Sequence, residues 1–120
     1  MIESDLRTYL IEHEDLEDTI DTRVYPMFLP QNPTLPAITY QRVSGERDRS
    51  LTGLNSLSHP RIQFDCWAET YAEAKTLGEE VISALNDYPG VVFYGDRDLH
   101  EPSLGIYRVS IDIAVWHHTT

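Results

Sequence analysis

The sequence predicts an α+β domain, a mainly antiparallel sheet with two helices packed on one face. Two strands show a period of two, strictly at Arg61–Glu69 and as two distinct faces from Gly105 to about His117. Between them lies an amphipathic helix with its own start signal, and a second apolar stripe at helical spacing opens the chain.

The opening stripe is Ile2, Leu6, Tyr9 and Leu10, a helix to about His13 that Leu16 and Ile20 continue, as a separate short turn if the helix breaks. Eight acids from Glu3 to Asp21 crowd this segment. Several sit too late in the helix to favour its dipole, so they read as a solvated face. In Arg23-Val24-Tyr25-Pro26-Met27-Phe28-Leu29-Pro30 the prolines remove ladder donors, which predicts an edge strand or a loop on the core. Gln31-Asn32-Pro33 is a turn, and Ala37–Val43 is rich in strand formers.

Residues 45–58 are polar with scattered leucines, and read as one long, mobile loop inside a single domain spanning 1–120. In the strand that follows, Ile62, Phe64, Cys66 and Ala68 face one side. Arg61, Gln63, Asp65, Trp67 and Glu69 face the other. Thr70 then serves as an N-cap with Glu73 three residues on. Tyr71, Ala74, Leu77, Gly78, Val81, Ile82 and Leu85 form the stripe of this helix, which ends before Pro89-Gly90. Val91–Tyr94 reads as a short strand and Asp96–Pro102 as a polar connection. In the last strand Tyr107, Val109, Ile111, Ile113 and Val115 share one face; Arg108, Ser110, Asp112, Ala114 and Trp116 share the other.

Composition narrows the function. The chain carries 20 acids against nine Lys and Arg, a net charge of −11, and such a field repels phosphate backbones. Direct nucleic-acid recognition is therefore not expected. The one cysteine, Cys66, allows no internal disulfide, and its place in the alternation puts it in the core as a small hydrophobe. The first residues lack a basic, then apolar, leader, and no run is long enough for a membrane helix; the expectation is a protein made in the cytoplasm.

No catalytic set emerges. A nucleophile needs a base and a group to orient it, and Cys66 has neither in its pattern. His117 and His118 are neighbours on a strand, so they point to opposite faces, and no metal-ligand spacing joins them to His13, His59 or His100. Asp65 and Asp112 lie on polar strand faces as carboxylates expected by chance in an acidic chain. No glycine-rich phosphate loop occurs, and no cofactor is implied. Two features fit a plain monomer poorly. Trp67 and Trp116 sit on polar strand faces, where exposed aromatics mark interfaces unless other elements cover them. And residues 42–61 carry Arg42, Arg47, Arg49 and Arg61 against Glu46 and Asp48, a local charge of +2 in an acidic chain. A basic loop beside an acidic body suits head-to-tail association, although a solvated loop accounts for the same charges.

Several runs carry a family resemblance: Thr22-Arg23-Val24-Tyr25-Pro26, Leu29-Pro30-Gln31, Leu35 through Arg47, and Arg61–Ala68 followed by Thr70-Tyr71-Ala72-Glu73-Ala74. Together they resemble the tail completion proteins of tailed bacteriophages and prophages, the tail terminators among them, over nearly the whole chain. The resemblance implies a non-enzymatic role in virion assembly: a ring, typically a hexamer, at the head-proximal end of the tail. Such a ring halts tube growth and docks a connector or head-completion protein. Its partners would be further copies of itself, the tail tube protein and that head-side protein, with no membrane, and its place the virion after assembly in the host cytoplasm. On this reading Arg42, Arg47, Arg49, Arg61, Trp67 and Trp116 make the subunit or partner contacts, and loop 45–58 takes part in them. The alternatives are a head-side joining or adaptor protein, and a small cytoplasmic enzyme or ligand-binding domain using the face around Arg61, Asp65 and Trp67.

Overall fold

The computed structural model describes residues 2–44, 47–49 and 56–118, with residues 15, 44, 47–49, 56–58 and 118 described by backbone alone. In chain order the elements are α1 (Ile2–Glu12), α2 (Glu14–Ile20), β1 (Val24–Pro26), β2 (Ala37–Ser44), β3 (Arg47–Arg49) and β4 (Ser56–Ser58). They continue with β5 (Arg61–Ala68), α3 (Tyr71–Asn86), β6 (Val91–Glu101), β7 (Ile106–Val115) and β8 (His117–His118). Five strands form the main sheet in the order β1-β2-β5-β7-β6, antiparallel except for the parallel β1–β2 pair. This is the α+β architecture expected, with a third short helix: the acidic stretch after His13 folds as α2.

All three helices lie on one side of the sheet. α3 packs on β5 and β7, α1 packs on β1 and β2, and α2 sits between α1 and α3. The core is their shared seam, with Leu6, Leu10, Leu16, Ile20, Phe64, Leu77, Leu85, Ile111 and Ile113 all excluded from solvent. Burying each such side chain contributes about 1.5–3 kcal/mol. The α3 start follows its sequence signal: Thr70 is extended, and its Oγ1 accepts a hydrogen bond from the Glu73 backbone N–H at 3.2 Å. Close approach of α3 to the sheet needs Gly78, where an added Cβ would stand 2.9 Å from Val109 Cγ1. After α3 the chain turns at Gly90, whose φ of +87° and contact with the Trp116 carbonyl leave no room for a side chain. Tyr9 ties the helices together; its hydroxyl donates to the Ala84 carbonyl at 2.6 Å and its ring meets Tyr88 edge-on.

Two strand readings change. β6 is one strand of eleven residues, not a short strand and a polar connection, and it pairs with β7 along its length with an irregularity between Phe93 and Gly95. It is an edge strand lying mostly beyond the helices, so its charges meet water and leave no alternating pattern to read. The 45–58 segment carries strands at both ends. β3 and β4 pair in the register that β2 and β5 already have, Ser44↔Arg61 being followed by Arg47↔Ser58 and Arg49↔Ser56. On the other side β8 continues β7, with Arg61↔Ala114 followed by Ser58↔His117 and Leu57↔His118. The small sheet β3-β4-β8 is thus an arm that prolongs the central strands past the helices. The remainder of that segment, residues 45, 46 and 50–55, lies outside the described residues. The arm makes the molecule long, 52 Å by 29 by 24 Å. Its radius of gyration of 15.1 Å exceeds the roughly 13.6 Å of a compact chain of this length.

Candidate functional site

The helices leave the other face of the main sheet uncovered, and the cross-strand register fixes which side chains meet there. From one end to the other the rows are Trp116 and His59; Val92, Ala114 and Arg61; Asp112, Gln63 and Gln41; Arg97, Ser110, Asp65 and Thr39; and Leu99, Arg108, Trp67 and Ala37. Most polar side chains here bond one another, although the buried Arg108 Nε has no partner among the described residues. The Trp67 indole N–H donates to Thr39 Oγ1 at 2.9 Å, and the Arg108 guanidinium lies 5.0 Å from the Trp67 ring. Arg108 also bonds Glu101 at 2.9 Å and approaches Asp65 at 3.8 Å, while Gln63 Nε2 donates to Asp65 at 3.0 Å. Arg61 pairs with Asp112 and covers the Tyr94 ring at 3.9 Å. Asp65 is only 6% exposed and Ser110 4%, so this central strip is closed to solvent by its own larger neighbours.

The six residues expected to make contacts fall into two places. Arg42 and Arg61 flank the point where the arm leaves the sheet, β3 carries Arg47 and Arg49 on the arm itself, and Trp116 stacks on His59 at 4.0 Å beside the arm's root. Arg42 faces the helix side and bonds Glu3 of α1. Trp67 lies at the opposite end. Eight residue steps along β7 and its continuation separate its neighbour Arg108 from Trp116, about 26 Å at roughly 3.3 Å per residue. The two tryptophans therefore do not form one cluster, and they differ in kind: Trp67 is half-buried and bonded, while Trp116 is 37% exposed just past the end of β7.

Asp65 and Asp112 share the open face, each held by its own arginine, so they form no bare carboxylate pair. Burial pushes the Cys66 thiol well up, and Asp65 beside it adds to the effect, so the thiolate needed for chemistry is suppressed. The sequence reading missed the Gln63–Asp65–Arg108–Glu101 chain, because Glu101 joins it only once β6 runs on to that position. It also missed a clasp on the helix side: Tyr71 and Lys75 of α3 both donate to Asp98 of β6, at 2.7 and 3.2 Å.

The charge distribution is as uneven as the packing. Segments 2–21 and 70–88, which hold the helices, contain twelve acids against Arg7 and Lys75, a net of −10 out of the −11 of the whole chain. Arg7 spends its Nε–H on the Val24 carbonyl and Lys75 is held by Asp98, so little of that negative field is offset at the surface. The strands and loops, by contrast, are close to neutral.

Residues 4–118 match the model of the tail completion protein gp17 family. The chain belongs to that family. It is thus a structural protein of phage virion assembly. No curated protein matches it in sequence. Its fold is shared by a chain from the virion of a native gene transfer agent particle, with a TM-score of 0.73 over 95% of this chain and 92% of that one, at 11% identity. Among the described residues no helix is long and apolar enough to cross a membrane.

Proposed function

We propose that this tail completion protein closes into a ring, a hexamer by family resemblance, that caps the head-proximal end of the tail tube. One side of the ring stops tube growth, and the other accepts a connector or head-completion protein. The observation that supports this most is the separation of charge between the arm and the helical face. The arm, with Arg47 and Arg49 on β3, projects from one end, while the helical layer holds nearly all the net negative charge. Unlike surfaces placed apart on one chain favour heterologous contacts, which close into rings when the rotation per subunit permits.

In this reading Arg47 and Arg49 meet the acidic helices of the next subunit, with Arg42, Arg61 and Trp116 at the arm's root as the supporting contacts. Trp67, at the far end, belongs to the surface that meets a different partner, the tube or the head side. The test is the double variant Arg47→Glu/Arg49→Glu, followed by light scattering and by tail assembly in a complementation assay. The expected result is a fall in mass to the monomer and loss of assembled tails. Unchanged mass together with unchanged assembly removes the arm from the interface.

A further inference from the structure

At the end of the sheet away from the arm, the loop before β2 and the turn between β6 and β7 enclose a groove of about 540 Å³, within the size range of clefts that seat a ligand. Leu29, Pro30, Leu35, Leu104 and Ile106 line it, with Glu69 on its wall. Both segments that enclose it are free of charge, from Val24 to Gln41 and from Pro102 to Tyr107, although 24% of the chain is charged. Leu104 is 67% exposed, and Phe28, beside Leu29 in the chain, is 77% exposed. We propose that this groove docks an extended, uncharged, apolar segment of a different protein of the particle, the one that meets this end of the ring. The inference rests on the ring reading above and deepens it by naming the chemistry that the far end, where Trp67 also lies, takes.

Three observations select that occupant. The first is charge. Each copy of the chain carries −11, and a self-contact here would bring two such bodies together with no cation among the described lining residues to offset the repulsion. A charged segment would lose its hydration with only Glu69 to meet it, whereas an uncharged apolar one gains by leaving water. The second is the mode of binding, because the neighbouring edge strand β1 is closed to a further strand. The backbones of Arg23 and Met27 bond β2, so by alternation those of Val24 and Pro26 face outward. The Val24 N–H is taken by the Thr22 carbonyl, and the Val24 carbonyl by Arg7. The Pro26 carbonyl accepts from the Phe28 N–H at 2.7 Å, and proline has no N–H to offer. A partner at this end is therefore held through side chains in the groove, with the Gln31 and Asn32 amides among the lining groups for its backbone. The third is strain. The bond between Phe28 and Pro26 closes a tight turn on Met27, whose φ of +67° is unfavourable for a residue with a side chain. This turn immediately precedes the groove lining and fixes the most exposed apolar side chain listed above, Phe28, and strain of this kind gathers where a protein clamps a partner.

The experiment puts the photo-crosslinking residue p-benzoylphenylalanine in place of Leu104 in the full chain, supplies it in a complementation assay, and identifies adducts in purified particles by mass spectrometry. The expected adduct is a different virion protein, joined within a stretch free of Asp, Glu, Lys and Arg. An adduct to a second copy of this chain, an adduct within a charged stretch, or no adduct overturns the proposal. Alongside, Leu104→Glu and Leu104→Lys should each lower the yield of complete particles about tenfold. Oligomer mass by native mass spectrometry and the thermal melt should stay at wild-type values, because the side chain is exposed. Equal loss from both signs of charge marks an uncharged occupant. A loss from one sign alone means a charged occupant, and no loss from either means no occupant; both overturn the proposal. A fall in oligomer mass makes the groove a contact between copies and overturns it as well. The ring reading fails separately: wild-type chain that stays monomeric overturns the ring, while a crosslink from Leu104's position to a different virion protein still supports the groove.

Discussion

Along β5 one strand serves two different surfaces. Ile62, Phe64 and Cys66 point into the seam with the helices and are wholly excluded from water, while Arg61, Gln63 and Trp67 point to a side that no element among the described residues covers. The first surface is held by removal of apolar area from water, a term that grows with every methylene and cannot be exchanged for another partner. The second is held by pairs: Trp67 with Thr39, Arg108 with Glu101 and Asp65, Arg61 with Asp112. Each polar pair has a small net worth because water offers nearly the same bonds. An open face of this sort keeps its shape alone, and its outer groups can swap intramolecular bonds for intermolecular ones at little cost. For a protein that must stay folded before it assembles, the separation is useful: stability sits on one face and association can use the other, the ends and the acidic helices.

The contrast is sharpest in substitution. Phe64→Ala removes the largest wholly buried side chain and is expected to cost about 3–5 kcal/mol. That is a large share of the roughly 5–15 kcal/mol that holds a small domain. Urea denaturation should show a much lower midpoint with an unchanged slope. A loss under about 1 kcal/mol would mean that the closed face does not dominate stability. On the open face, Asp65→Ala is expected to cost about 1–3 kcal/mol, because it leaves the partly covered Arg108 short of a partner. Adding Arg108→Met should restore much of the loss, since removing both charges of a buried pair is close to neutral. If the double variant is worse than the single one, Arg108 contributes mainly through Glu101 and the Trp67 ring.

Trp67→Phe tests the same face more finely. It keeps an aromatic ring near Arg108 while removing the N–H that bonds Thr39 together with part of the indole's packing, so at least about 0.5–1.5 kcal/mol should be lost in denaturant. Assembly measured beside stability then separates two roles. A larger effect on tail formation than on unfolding would place Trp67 at a partner surface, and equal effects would confine it to the monomer.

The closed face was the legible one. Alternation in β5 and β7, and the capped stripe of α3, are periodic because burial against a second layer demands it, so Phe64, Leu77 and Ile111 announce their places. β6 escaped for the converse reason. Beyond Tyr94 its side chains meet solvent on both sides of an edge, and Asp96, Asp98 and His100 carry no mark of the strand they belong to. The strands of the arm escaped because Arg-Asp-Arg and Ser-Leu-Ser are too short to show an apolar period. Among the candidate contacts, the arginines were visible as a local charge reversal, but their grouping at one end, with Trp67 at the other, depends on register.

The smallest expected effect lies where the acidic helical layer touches the sheet's edge. Asp98 accepts from the Tyr71 hydroxyl and from Lys75, and the first of these bonds, then the second, holds its carboxyl below the ordinary aspartate range. A carboxyl depressed by folding contributes stability above its unfolded value, and that contribution is lost as pH falls through the folded one. Asp98→Ala should therefore melt slightly below wild type at neutral pH, and the two curves should converge as pH drops beneath the usual aspartate range. The group is exposed, so high salt should narrow the neutral-pH gap through its Lys75 component and leave the Tyr71 hydrogen bond. Tyr71→Phe separates the two: a gap that survives in this variant and vanishes in salt assigns the clasp to Lys75, and a gap that disappears with the hydroxyl assigns it to Tyr71. Curves that stay apart in strong acid would show that Asp98 acts by packing on α3, which would make this edge resemble the closed face more than the open one.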